Sequence, residues 1–226
     1  MAFLLPDKVD YFPHPLLSDE DGFLAISSDI SVSKVLLAYQ FGIFPWYNQE
    51  DPILWWFTNP RFVLFPDRLK ISKSMRSYLN QDKFQYTFDT AFTKVMQACR
   101  HVKRKGQEDT WITNRLEEVF TELHNQGYAH SVEVWENEKL IGGLYGISLG
   151  KVFYGESMFS LKSNASKFGM IKLVQWLDKK GFELIDCQQE TKHLASLGAE
   201  LIDGNTFFNY LKSNIFNTTL KGKWQK

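Results

Sequence analysis

The chain has 226 residues, 44% of them apolar and 23% charged, which suits a folded domain with a real core and excludes a disordered chain. Lys and Arg together number 26, as do Asp and Glu, so a uniformly basic nucleic-acid binder is excluded; Cys99 and Cys187 alone make neither a disulfide framework nor a cysteine metal centre. No apolar run approaches the eighteen or so residues of a membrane span, and Met1–Leu5 lack the features of a secretory leader, so the expectation is a cytoplasmic protein with reduced thiols.

Residues 1–62 read as a small N-terminal domain, dense in aromatics, Pro and Gly, and 63–226 as a larger one. Ser31 or Ser33 can cap a helix whose apolar stripe is Val35, Leu36 and Tyr39, with Gly42 ending it. Phe41–Trp56, broken by Pro45 and Pro52, reads as loop, where aromatic side chains are less easily explained as core. From Arg61 to Lys105 eleven basic residues face three acids, a net +8 that the rest of the chain cancels; Lys212, Lys221, Lys223 and Lys226 add an unopposed basic tail. Such asymmetry fits a polyanion site on an otherwise acidic protein as well as it fits a solvated face.

A short basic helix follows at Ser72–Leu79. Phe92, Val95, Met96 and Cys99 then mark a helix that Asp89 can cap, and after a charged loop (Lys103–Asp109) Leu116, Val119, Phe120 and Leu123 mark a second, ended by Gly127. Strands Ala129–Trp135, Lys139–Ser148 and Lys151–Met158 have links short enough for antiparallel hairpins. A helix at Ser166–Lys179, a strand at Glu183–Cys187 and a helix at Thr191–Leu197 complete an α+β layout. The last strand, reached through a helical crossover, is expected parallel to its neighbour.

Several stretches carry a resemblance. They are Leu37-Ala-Tyr, Gly42-Ile-Phe-Pro-Trp46, Pro52-Ile-Leu-Trp-Trp56, Asn59-Pro-Arg61, Thr110-Trp-Ile112, Leu123-His124 and Ala129-His-Ser-Val-Glu133 in the first half. Gly142-Gly-Leu-Tyr-Gly146, Gly155-Glu-Ser-Met-Phe-Ser160, Asn164-Ala-Ser-Lys167, Asp186-Cys-Gln188 and His193 with Ser196-Leu-Gly-Ala199 continue it. Together they resemble the leucyl/phenylalanyl-tRNA–protein transferase family over nearly the whole chain, with Gly-Glu-Ser-Met-Phe-Ser and Asp-Cys-Gln the most specific. Two departures stand out: Ser27-Ser-Asp-Ile30 where the family usually reads Gly-Gly-Asp-Leu, and Phe57-Thr58 where it usually reads Ser-Pro.

The resemblance implies a small N-terminal domain on an N-acetyltransferase-like C-terminal domain, with a mixed, mainly antiparallel sheet flanked by helices. It implies transfer of Leu or Phe, and Met less well, from aminoacyl-tRNA to an N-terminal Lys or Arg of acceptor proteins, marking them for degradation. No cofactor or metal is expected, and the chain is expected to act as a monomer. On this basis Asp186, Gln188 and Glu156 are the catalytic candidates: Gln188 to hydrogen-bond the attacking amine, Asp186 to orient it, Glu156 to hold the α-ammonium of the transferred residue. In extended chain Asp186 and Gln188 would share one face. Leu144, Phe153, Met158, Met170, Leu173 and Ile185 are candidates for the aminoacyl side-chain pocket. Trp46 and Trp111 are candidates to stack the 3′ adenine, and Arg61, Lys70, Lys73 and Arg76 to meet tRNA phosphates. The rival is a coenzyme A-dependent small-molecule N-acyltransferase; its Gln/Arg-x-x-Gly-x-Gly/Ala signature does not match Asn164-Ala-Ser-Lys-Phe-Gly169. A non-enzymatic RNA-binding module would not need the carboxylate–amide cluster.

Overall fold

Residues 2–6, 9–81, 83–102 and 111–226 are described by the computed structural model. The expected loop Lys103–Asp109, with three of the basic residues, and Thr110 lie outside the described residues.

A small sheet comes first. Strands β1 (Phe3–Leu4) and β2 (Phe23–Ser27) precede helix α1 (Val32–Gln40), and β3 (Phe44–Pro45) and β4 (Ile53–Trp56) follow it, in the order β1-β2-β4-β3. Ser31 is the α1 cap, accepting from the Lys34 backbone N–H, and Gly42 takes φ +72 just past the helix. The Phe41–Trp56 segment is mostly loop, as expected, but it also holds the short strands β3 and β4. Its prolines are compatible with pairing because Pro45 sits on the edge strand and Pro52 immediately precedes β4. Ser27 and Ser28 are not among the positive-φ residues, so serine replaces glycine there without backbone cost. The Ser27 hydroxyl instead accepts from Trp55 Nε1 and donates to the Asp29 carbonyl.

The remaining elements are β5 (Arg61–Leu64), α2 (Lys73–Asn80), β6 (Gln85–Phe88), α3 (Phe92–His101), α4 (Asn114–Asn125), β7 (Ala129–Glu136), β8 (Lys139–Leu149), β9 (Val152–Ser160), α5 (Ala165–Lys179), β10 (Leu184–Asp186), α6 (Lys192–Ala195), β11 (Glu200–Ile202) and α7 (Gly204–Asn214). The large sheet runs β11-β5-β10-β9-β8-β7-β6. Strand β10 pairs parallel with β9, as the crossover rule requires, and every other pair is antiparallel. Sequence periodicity misses β5, β6 and β11, because three or four residues hold too little alternation to detect, and it misses α7. It also misassigns Asp89. Helix α3 has Ala91 at its N-cap with no side-chain bond, while Asp89 accepts from the Ser131 and Trp224 backbone N–H groups and pairs with His130 Nδ1.

Helices α3 and α4, the α1 stripe and α7 share one hydrophobic cluster with the small sheet. Helices α2 and α5 pack with the opposite cluster, where Trp224 joins Phe88, Phe153, Trp176 and Phe182. Among the described residues no helix is long and apolar enough to cross a membrane. The border expected at 62/63 falls inside β5, which belongs to the large sheet.

Arg61 begins that strand and is fully buried. Its guanidinium grips Asp186 in two bonds, Nε to Oδ1 at 2.8 Å and Nη2 to Oδ2 at 2.6 Å, and Nη2 also donates to the Gly42 carbonyl. The rings of Phe44, Phe57 and Phe207 surround it. Arg61 thus ties α1's end, β10 and α7 together. Removing one partner of such a pair strands the other charge in the core, at a cost of about 3–5 kcal/mol. Arg61→Ala should lower the urea-unfolding free energy by about that amount, and Arg61→Lys, which lacks the planar fork, should recover only part of it. An unchanged unfolding midpoint for Arg61→Ala would show that the pair does not hold these elements together.

Candidate active site

Strands β9 and β10 are in register only at Val152–Leu184, Phe153–Ile185 and Tyr154–Asp186, and beyond them the pairing stops. The gap opens into a cavity of about 450 Å³. One device on each strand aims a side chain into it. On β9, Ser157 faces Tyr145 and Gly155 faces Gly146, so Glu156 is the extra residue of a bulge and its side chain lines the cavity. Gly146 is required there, since a Cβ would lie 2.1 Å from the Tyr154 carbonyl oxygen. Two residues past β10, Gln188 takes φ +55, its N–H bonds Asp186 Oδ1 at 3.0 Å, and its carbonyl accepts from the Thr58 hydroxyl. Thr58 also accepts from Arg61 Nη1, so the threonine that replaces proline takes part in the network. Across the cavity, Gln188 Nε2 stands 3.5 Å from Glu156 Oε1, the outer limit of a hydrogen bond.

Around this polar pair the lining divides. Leu144, Phe153, Met158, Met170, Ile185 and Leu194 supply an apolar wall on the α5 side, and Trp46, Trp111, Phe44 and Tyr145 line it as well. Trp46 is 39% exposed, edge-on to Trp56, whose Nε1 donates to the Trp46 carbonyl.

The expected residues do not all meet here. Asp186 is wholly buried and does not line the cavity; both its oxygens are held by Arg61, so its contact with Gln188 is through the backbone. The left-handed turn at Gln188 overturns the expectation that the two side chains share a face of an extended strand. Glu156 lies in the middle of β9. Leu173 is core beneath the site and does not reach the cavity. Arg61 is excluded as a phosphate contact by its burial, whereas Lys70, Lys73 and Arg76 are exposed. The lining adds Phe44, Tyr145, Cys187, Thr191, His193 and Leu194, which the sequence did not single out as site residues. The motifs containing Tyr145 and His193 were the available signal.

The family model described as leucyl/phenylalanyl-tRNA protein transferase matches residues 63–212, and that of its N-terminal domain residues 28–59. A leucyl/phenylalanyl-tRNA–protein transferase of Christiangramia forsetii is 57% identical over 93% of this chain and 100% of that one. One from Syntrophus aciditrophicus is 51% identical over 96% of this chain and 91% of its own. Among solved structures, a GCN5-related N-acetyltransferase from Kribbella flavida has 9% identity and a TM-score of 0.40, covering 74% of this chain and 59% of that one.

The electrostatics of the cavity centre on Glu156. Burial pushes its carboxyl from the usual carboxylate range up to about 8, opposed by the nearby Tyr39 hydroxyl and reinforced by Asp186. Tyr39 influences this titration without closing a hydrogen bond to the carboxylate, and burial drives its own phenol upward. The Glu156 value is higher folded than unfolded, so folding favours the protonated form. The unfolded carboxyl ionises near pH 4.5 while the folded one resists to about pH 8. Wild-type stability should therefore fall relative to Glu156→Gln as pH rises through that window, then run parallel above it. Urea denaturation at several pH values measures the difference; parallel curves throughout would show a carboxyl of ordinary acidity.

Proposed function

Because the chain belongs to the leucyl/phenylalanyl-tRNA–protein transferase family, and so moves an aminoacyl group from tRNA to a protein, we propose that the β9–β10 cavity is where that transfer takes place. The donors are Leu-tRNA and Phe-tRNA, with Met-tRNA poorer, and the acceptors are proteins with N-terminal Lys or Arg, marked in this way for degradation. The enzyme acts as a cytoplasmic monomer without a cofactor. The observation that carries this reading is the placement of Glu156 and Gln188 within 3.5 Å of each other between an apolar wall and two tryptophans.

The donor is an ester, already activated. A peptide α-amine with a reference pKa of about 7.7–8.0 is partly neutral at physiological pH. Its nitrogen attacks the ester carbon, the C–N bond forms, the bond to the ribose oxygen breaks, and that oxygen leaves with a proton that originated on the amine. Positioning supplies much of the acceleration. Gln188 accepts a hydrogen bond from the attacking amine, its backbone held by Asp186, which acts as a positioning residue. Glu156 receives the α-ammonium of the transferred residue. The free enzyme holds that carboxyl largely protonated at neutral pH, and an ammonium beside it favours the ionised form, so substrate binding is coupled to loss of a proton. Trp46 and Trp111 stack the terminal adenine. Lys70, Lys73 and Arg76 meet the phosphates farther along the RNA.

Mixing the protein with Leu-tRNA and a peptide beginning with Arg, without ATP or coenzyme A, should yield a peptide longer by one leucine in a mass spectrum. A requirement for coenzyme A, or no product, would overturn the reading. For specificity, Leu144→Phe narrows the apolar wall and should reduce kcat/KM for Phe-tRNA relative to Leu-tRNA by about 5- to 150-fold, the range of 1–3 kcal/mol of overpacking. An unchanged ratio in a variant that melts normally would remove Leu144 from the pocket.

A further inference from the structure

Two stretches that carried the resemblance, Asn164-Ala-Ser-Lys167 and the one holding His193, have no part in the chemistry above. The fold brings them together. Strands β9 and β10 part in the direction in which both run, and α5 starts only a few residues beyond the end of β9, so its first turn stands at the open end of the cleft. Lys167 lies one turn before Met170 on the same helix face, and Met170 lines the cavity. From the other strand, the segment after β10 carries His193 into the lining beside Leu194.

Among the described residues, neither Lys167 nor His193 Nε2 has a protein partner. Lys167 is half-buried, with no ion pair to any acid among the described residues. His193 Nε2 is buried and has no hydrogen-bond partner among the described residues. A polar atom left so costs stability unless a ligand satisfies it. Burial first, and then the positive charge of Lys167, lower the His193 pKa. A half-buried cation one helical turn from the lining residue Met170, with no carboxylate paired to it among the described residues, and an unpartnered imidazole in the lining select an anion with acceptor oxygens.

We propose that Lys167 and His193 form a phosphate subsite at the cavity mouth, binding the phosphodiester that links the terminal adenosine of the donor to the preceding nucleotide. This rests on the aminoacyl-tRNA reading of the cavity. Lys167 supplies charge and His193 Nε2 a directed N–H, so the subsite reads the backbone and is indifferent to base identity. It fixes the point at which the RNA leaves the cavity toward the exposed cations of α2.

Two minimal donors test it: 3′-O-phenylalanyl-adenosine, which has no phosphate, and the phenylalanyl ester of cytidylyl-(3′→5′)-adenosine, which has one. The wild type should use the dinucleotide with the higher kcat/KM. In Lys167→Gln and in His193→Gln the dinucleotide-to-nucleoside ratio should fall about ten-fold, through KM, as expected for loss of one hydrogen bond to a charged group. Lys167→Arg should keep the ratio, which general damage to the fold would not allow. Equal use of the two donors by the wild type, or ratios unchanged in both glutamine variants, would overturn the subsite while leaving the transferase reading intact. No transfer by the wild type from either donor or from charged tRNA would overturn both.

Discussion

The buried pair between Arg61 and Asp186 is the constraint on which the site depends. A guanidinium with no exposed surface is tolerable only when its donors are used, and here Asp186, the Gly42 carbonyl and Thr58 use them. These partners come from the end of α1, the turn before β5 and the end of β10. The Asp186 oxygen that accepts from Arg61 Nε also accepts the N–H of Gln188, where the chain turns through positive φ. The aim of the Gln188 amide is therefore set by packing between the small sheet and the large one. Phe44, Phe57 and Phe207 exclude water from the pair and keep the electrostatic coupling strong.

The cavity arises from two departures from regular pairing. Parallel strands that separate leave backbone groups and side chains without neighbours, and the bulge at Glu156 turns a carboxyl toward the space so created. The apolar wall proposed for a leucine or phenylalanine side chain also lines the space beside Glu156, whose burial drives its pKa upward. Substrate shape and acid–base behaviour thus have one structural origin. The tryptophans complete the site from segments distant in sequence, Trp46 after β3 and Trp111 before α4.

The basic segment illustrates how charge on a sequence divides once the chain folds. Arg61, Lys70, Lys73 and Arg76 belong to one run of excess positive charge. The first begins a strand paired on both sides and pairs internally; the others flank or occupy an exposed helix. Composition measures the sum of charge, while the surface potential depends on which charges remain in water. Asp89 divides in the same way between two roles that look alike in sequence. A helix cap and a buried acceptor both ask for a short carboxylate, and the tertiary contact with His130 and Trp224 decided between them.

The sequence by itself determined the family through its motifs, and through periodicity the long elements: α3, α4, α5 and the meander of β7, β8 and β9, where each element holds enough residues for its spacing to be visible. It determined the presence of Glu156 and Gln188, and most of the apolar wall, because those residues lie in or beside recognisable stretches. Tertiary structure alone decided that Arg61 is internal, that Leu173 stops short of the cavity, that Asp186 meets Gln188 through a backbone N–H, and that His193 enters the lining. It also decided the short strands β5, β6 and β11, whose order in the sheet rests on partners far away in the chain. Local spacing reports which face of an element a residue occupies. What stands opposite that face is set by long-range packing, and a side chain's charge state and reach follow from what stands opposite.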